Sequence, residues 1–188
     1  MGTIVTPAPN TAGALLVRLT VKYAPPEWAL LPQVRETTGM SACRTADAIA
    51  LSLWPSRGLY LHGFEIKVNR GDWLQELKHP EKAEEIAKFC DFWWVVTTEE
   101  IVRAGELPAA WGLLVTSGRG LKTVKSSMIL AAQVPDRPFL AAIFRRAQQV
   151  MTPQARFDAL YQQGHKEGEK HGRQQAGWNQ DEHDRLLQ

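Results

Sequence analysis

Cysteine is scarce in this chain. Cys43 and Cys90 are the only two; they form no C-x-x-C and have no metal-ligand spacing, so no thiolate metal site can be built from them, and they read as reduced thiols in a cytosolic protein. Long apolar runs are also missing. None approaches the about 18 residues of a membrane-spanning helix, so no membrane is expected among the partners, and the start carries no secretory signal. Residues 1–6 formally fit a myristoylation pattern but have no polybasic cluster beside them. Neither charge sign is in excess: 22 Lys and Arg stand against 20 Asp and Glu, a net charge of +2. A nucleic-acid binder with this balance has to concentrate its positive charge locally. No internal repeat is present.

What remains is ordinary for a globular chain, with 188 residues, 44% apolar and 22% charged, enough for one full core and an appendage. Residues 1–11, rich in Thr, Pro and Ala, read as a flexible arm. Leu15, Leu16, Leu19 and Tyr23 recur at helical spacing over residues 12–23, and Pro25-Pro26 ends that helix. Residues 28–36 fit a short helix or a strand, with Pro32 arguing against both. Residues 42–54 are β-compatible and run into the turn signal Pro55-Ser56-Arg57-Gly58. Residues 59–68 then alternate: Tyr60, Phe64, Ile66 and Val68 on one parity, Glu65, Lys67 and Asn69 on the other.

Asp72 reads as the N-cap of a helix carrying Trp73, Leu74 and Leu77. A further helix is expected over residues 81–90. Residues 91–98 form a nearly continuous β-prone run, as in a buried central strand; residues 111–116 repeat it, and 121–125 read as a short edge strand. Residues 138–150 are helical. From about residue 151 the chain turns polar, and Gly164, Gly168, Gly172 and Gly177 each weaken a helix by roughly 1 kcal/mol relative to Ala, giving a helical or disordered extension that is a candidate for homo-oligomerisation. His165, His171 and His183 there share no helix face. The fold class is α/β, a central mixed sheet flanked by helices, with the core domain over residues 12–150 and the extension over 151–188.

The chemistry concentrates in Arg44-Thr45-Ala46-Asp47-Ala48 and Gly63-Phe64-Glu65-Ile66-Lys67-Val68. If the two strands pair antiparallel around residues 55–57, a three-residue loop sets Asp47 opposite Glu65, and a five-residue loop sets it opposite Lys67. Either register puts the three on one face, with opposing Cβ atoms about 5 Å apart. A slip by one residue would also turn Phe64, Ile66 and Val68 out of the core. Two carboxylates this close are natural ligands for a hard cation such as Mg²⁺, with the Ile66 carbonyl as a third oxygen. Lys67 can orient or deprotonate a water, or stabilise a pentavalent phosphate. An idle acid among Ala46, Ala48, Ile49 and Ala50 would be costly.

These residues resemble the PD-(D/E)XK nuclease superfamily of restriction-endonuclease-like fold, Asp47 matching its first-strand acid and Glu65-Ile66-Lys67 its E-x-K. Together with Asn69-Arg70-Gly71-Asp72-Trp73-Leu74 and Cys90-Asp91-Phe92-Trp93-Trp94-Val95-Val96 they look like the small MmcB-like nucleases of bacteria and phages linked to DNA repair. The resemblance covers about residues 42–116; Ala46 stands where the motif has proline. It implies a Mg²⁺-dependent deoxyribonuclease, Mn²⁺ substituting, acting in repair, recombination or phage DNA processing in the cytoplasm of a bacterium or phage-infected cell. Asp47, Glu65 and Lys67 are then catalytic, Asp47, Glu65 and the Ile66 carbonyl hold metal, and the helix glutamate that some members add is Glu27 or Glu36. Candidate DNA contacts are Arg70, Trp73, Gln75, Lys78 and Lys82, although Lys78 and Lys82 also read as a solvated face. Trp93 and Trp94 read as core. RNA is not excluded as a substrate, and the alternative is a catalytically weak or inactive DNA-binding or assembly module on the same fold.

Overall fold

The structure, a computed structural model, describes residues 11–38, 44–79 and 81–151, with only the backbone of Glu81 and Lys82. Residues 1–10, Cys43, and the extension after Met151 with its three histidines lie outside the described residues. The chain divides into a unit of residues 1–147, which holds the whole sheet, and a unit of residues 148–188, of which only the first four residues are described.

Six strands form one mixed sheet whose order follows the chain: β1 (Trp28–Arg35), β2 (Thr45–Ser52), β3 (Leu61–Lys67), β4 (Phe92–Thr97), β5 (Gly112–Ser117) and β6 (Gly120–Lys125). β1–β2–β3 is an antiparallel meander, β3–β4–β5 run parallel, and β6 returns antiparallel to β5. The helices are α1 (Ala12–Lys22), α2 (Arg70–Lys78), α3 (Glu81–Ala87) and α4 (Arg137–Met151). No helix among the described residues is long and apolar enough to cross a membrane.

Residues 28–36 resolve to a strand because β1 lies at the sheet edge, where a proline without an N–H is tolerated. The Pro32 carbonyl accepts a bond from Arg146 Nε of α4 at 2.6 Å. The β2–β3 register runs Ala48↔Phe64, Ile49↔Gly63 and Ala50↔His62, the one expected for Trp54 facing Gly58. A short 3₁₀ turn at Pro55–Arg57 closes it, with Gly58 at φ +82°, a backbone region glycine reaches without strain.

Both sheet faces are covered. On one, Leu15 and Leu19 of α1 and its C-cap Tyr23 pack on Ala48, Ala50, Phe64, Trp94, Val96 and Leu114. On the other, Ala83 and Ile86 of α3 and Phe139 of α4 pack on Ile49, Leu61 and Trp93, and Trp73 of α2 packs on Val95, Leu113 and Val115. β4 is therefore buried on both sides, which is why its sequence is an unbroken apolar run. Its adjacent tryptophans point to opposite faces, each lying across a glycine of a neighbouring strand: Trp93 over Gly63 of β3, Trp94 over Gly112 of β5.

The helix expected to start at Asp72 starts at Arg70, because Asn69 is the N-cap: its side chain accepts from the Asp72 N–H at 2.8 Å. The β4–β5 crossover has no helix. Glu106 pins it by accepting from the Arg70 guanidinium, from Trp73 Nε1 at 3.0 Å and from the Arg103 N–H at 3.0 Å, and the Arg70 bonds come first in holding its carboxyl down at about 2.

Candidate active site

The β2–β3 ladder stops at Ala48–Phe64. Beyond it the strands part, and the Asp47 carboxylate takes the place of backbone pairing: Oδ2 accepts from the Ile66 N–H at 2.8 Å and Oδ1 from Gln33 Nε2 at 3.0 Å. Gln33 itself has φ +52°, an uncommon conformation for a side-chain-bearing residue that accompanies functional sites often enough to be informative. Because a strand residue directs its N–H and C=O to the same edge, the Ile66 carbonyl also faces the gap toward β2.

On β3, Glu65 and Lys67 share the face opposite Phe64. Lys67 Nζ lies 2.6 Å from Glu65 Oε1 and 2.8 Å from Glu76 Oε2, and the three side chains are only 17%, 11% and 11% exposed for Glu65, Lys67 and Glu76. Two acids thus share one ammonium, with Asp47 as a third negative charge nearby. Burial first, and then the Asp47 charge, push the Glu65 carboxyl up to about 7 against the pull of Lys67. Burial draws the Lys67 ammonium down, but its bonds to Glu65 and Glu76 outweigh that, and its pKa ends above the ordinary value. Lys67 is therefore held charged, which suits positioning and charge stabilisation rather than proton abstraction.

The structure brings together Asp47, Glu65, Lys67 and the Ile66 backbone, and separates other candidates. Glu27 faces the wrong end of the sheet: its carbonyl accepts from the Leu53 N–H and its carboxylate pairs with Arg57 at 3.0 Å, six residues or about 20 Å along β2 from Asp47. Glu36 lies at the correct end, its N–H bonded to the Arg44 carbonyl at 3.2 Å. The acid that joins the cluster is Glu76, which sequence reasoning missed. Trp73, Glu76 and Leu77 sit one turn apart on the inward face of α2, so the signal was available in the helical spacing. Gln75 is exposed.

Two proposed DNA contacts are corrected. Trp73 is fully buried, its indole N–H satisfied by Glu106, so no base can stack on it. The Arg70 guanidinium is engaged by Glu106 and by the Ile101 carbonyl at 2.7 Å, which docks α2 onto the crossover loop instead of leaving a cation for phosphate. Lys78 is exposed; the side chain of Lys82 lies outside the described residues. Lys122 pairs with Glu99, and Lys125 donates to the Pro108 and Ala109 carbonyls. Cys90 is buried, which raises its thiol pKa and leaves it unreactive.

Among the described residues, no group of three or more His, Cys, Asp or Glu side chains is gathered so as to hold a metal ion. The smaller donor set of Asp47, Glu65 and the Ile66 carbonyl is nevertheless all hard oxygen, and Mg²⁺ uses one or two carboxylates and keeps waters for the rest. Burial, and after it the neighbouring Asp47 charge, raise the Glu65 pKa despite Lys67, so a cation between the two carboxylates would favour their charged forms. On both counts these residues fit a divalent cation.

The site has a thermodynamic counterweight on the other face of β3. His62 sits among Tyr23, Trp28, Phe92 and Trp94, its Nδ1 accepting from Trp94 Nε1 at 3.1 Å, and burial holds its pKa down at about 4 instead of 6.5. As pH falls from 7 to 5 the unfolded chain protonates His62 and the folded one does not, costing about 2 kcal/mol; over the same interval the folded chain protonates Glu65 before the unfolded one, returning about the same. Urea midpoints of the wild type should move little on account of these two groups, whereas Glu65→Gln should lose about 2 kcal/mol between pH 7 and 5. A variant as flat as the wild type would contradict this balance.

No protein-family model matches this chain, and no curated protein matches it. A solved structure, the SPO1766 protein of unknown function from Silicibacter pomeroyi, is similar in fold, with a TM-score of 0.53, 18% identity, and coverage of 80% of this chain and 96% of that one. At that identity the likeness speaks to the fold alone.

Proposed function

We propose that this chain is a Mg²⁺-dependent deoxyribonuclease with a restriction-endonuclease-like core, acting in DNA repair, recombination or phage DNA processing. The observation that carries the reading is the parting of β2 and β3 around an acid and an E-x-K: Asp47 bonded to the Ile66 N–H at 2.8 Å, with Lys67 held between Glu65 and Glu76. Asp47, Glu65 and the Ile66 carbonyl would hold the cation, and Gln33 would fix the Asp47 rotamer. When bound, Mg²⁺ supplies Lewis-acid polarisation of the phosphate and a more acidic water. Lys67, kept charged by its two acids, stabilises negative charge developing on the phosphate oxygens, and Glu76 positions Lys67.

The test is a cleavage panel on single-stranded, duplex, flap and junction DNA, with matching RNAs, in Mg²⁺ or Mn²⁺. Cleavage by the wild type that falls at least about 10²-fold in Asp47→Asn and in Glu65→Gln is the expected result; equal cleavage by all three proteins would overturn it. The pairing of Lys67 with Glu76 also favours a second reading, a DNA-binding or assembly module with weak or no catalysis. DNA binding without cleavage under every metal condition would select that one.

A further inference from the structure

Charge balance at the cluster asks for one more cation. With every group ionised, Asp47, Glu65 and Glu76 against Lys67 leave two negative charges, which one divalent cation cancels. A phosphodiester then brings a negative charge of its own, and attack by hydroxide adds another. Beside side chains no more than 17% exposed, uncompensated charge is expensive. Several cations of the chain are already engaged: Arg70 by Glu106, Lys122 by Glu99, and Lys125 by the Pro108 and Ala109 carbonyls.

Arg44 is different. It immediately precedes β2, three residues before Asp47, and lines the same opening as Glu65 and Glu76. It is partly exposed, so an incoming strand can reach it, as it cannot reach Trp73. Its carbonyl accepts from the Glu36 N–H, but among the described residues its guanidinium has no hydrogen-bond or ion-pair partner. Glu85 of α3 is held down first by Lys88, its partner at 2.8 Å, and only then by the Arg44 charge. The guanidinium is therefore left to take another anion.

We infer that Arg44 grips the nucleic-acid phosphate at this site, its planar fork of N–H donors pairing with two non-bridging oxygens. Such a contact positions the strand and carries no sequence information. That the gripped phosphate is the one cleaved rests on the nuclease reading; the contact itself does not.

The full chain is titrated into labelled single-stranded and duplex DNA in Ca²⁺, at salt from about 50 to 200 mM. Arg44→Gln should weaken binding at least about fivefold, by a similar factor on unrelated sequences, and reduce the slope of log Kd against log salt by about one. Arg44→Lys should restore the slope but only part of the affinity, because an ammonium lacks the fork. Arg57→Gln, the same loss of charge at the opposite end of β2, should leave both unchanged. With Mg²⁺ and a cleavable substrate, Arg44→Gln should raise KM more than it lowers kcat. Binding that does not distinguish Arg44→Gln from Arg57→Gln overturns the assignment, and so does a wild type that binds no DNA. Arg44-dependent binding without cleavage under any metal condition keeps the phosphate contact and removes the nuclease reading. Cleavage lost in Asp47→Asn, with Arg44→Gln binding as the wild type does, would do the reverse.

Discussion

Lys67→Met should abolish the proposed metal-dependent cleavage and, at pH 8, lower the unfolding free energy by about 3–5 kcal/mol, the range for removing one partner of a buried ion pair. The large cost follows from Lys67 serving two acids. Without it Glu65 and Glu76 face each other across 2.6 and 2.8 Å contacts that have lost their common cation, in a setting where Glu65 already titrates at about 7. The pH dependence identifies the cause. Deleting the ammonium moves the folded-state pKa of Glu65 further above its unfolded value of 4.5. The folded variant therefore takes up a proton ahead of the unfolded chain, and stability should rise as pH falls from 8 toward 4.5. Mg²⁺ should stabilise the variant at pH 8 if the acids bind the cation. Urea unfolding at pH 8 and pH 5, with and without Mg²⁺, checks all of this; a loss that is the same at both pH values would point to packing and not to charge.

Gly63→Ala should destabilise by about 1–3 kcal/mol, a drop of roughly 2–12 °C in Tm for a chain of this size. A methyl group at Gly63 would lie 2.2 Å from the Trp93 ring and 3.0 Å from Cys90 Sγ. Trp93 is 1% exposed and Cys90 fully buried, and both belong to the core cluster under α3 and α4, so relieving the clash disturbs that packing. Gly120→Ala is the control, because its nearest neighbour would be 3.9 Å away. A second substitution, Trp93→Leu, should recover part of the loss in Gly63→Ala, as expected for residues in direct contact. Equal Tm values for Gly63→Ala and Gly120→Ala would show that the sheet relaxes around the clash.

β-compatible residues running into the Pro55-Ser56-Arg57-Gly58 turn signal made β2 legible and alternation made β3 legible, and the demand that Phe64 and Ile66 stay inside fixed the parity that sets Asp47 with Glu65 and Lys67. The run from Phe92 to Thr97 was legible because a strand covered on both faces has no polar positions. Pro32 obscured β1, since its tolerance depends on being at an edge, which only the completed sheet defines. Asp72 was misread as a cap because Asn69 offers the same chemistry three residues earlier. That displacement hid Glu76 and drew attention to Gln75. Arg70 and Trp73 looked available to DNA because their partner, Glu106, is more than thirty residues distant in the chain, and nothing local announces such a contact. Gln33 was invisible for a related reason: its role arises from a left-handed backbone angle opposite Asp47, not from its residue type.

The agreement of sheet order with chain order has a kinetic meaning. No strand has to be inserted between two that are already paired, so the sheet can extend one neighbour at a time, and the loops to be closed at each step stay short. Asp47, Glu65, Lys67 and Glu76 fall within one stretch that closes on β2, β3 and α2. On a ribosome, where the N-terminal part of a domain emerges first, the charged cluster is synthesised before Trp93, β5, β6 and α4. The nascent chain thus carries its repelling acids, together with the lysine that tames them, before the hydrophobic cover that makes their pairing expensive to break.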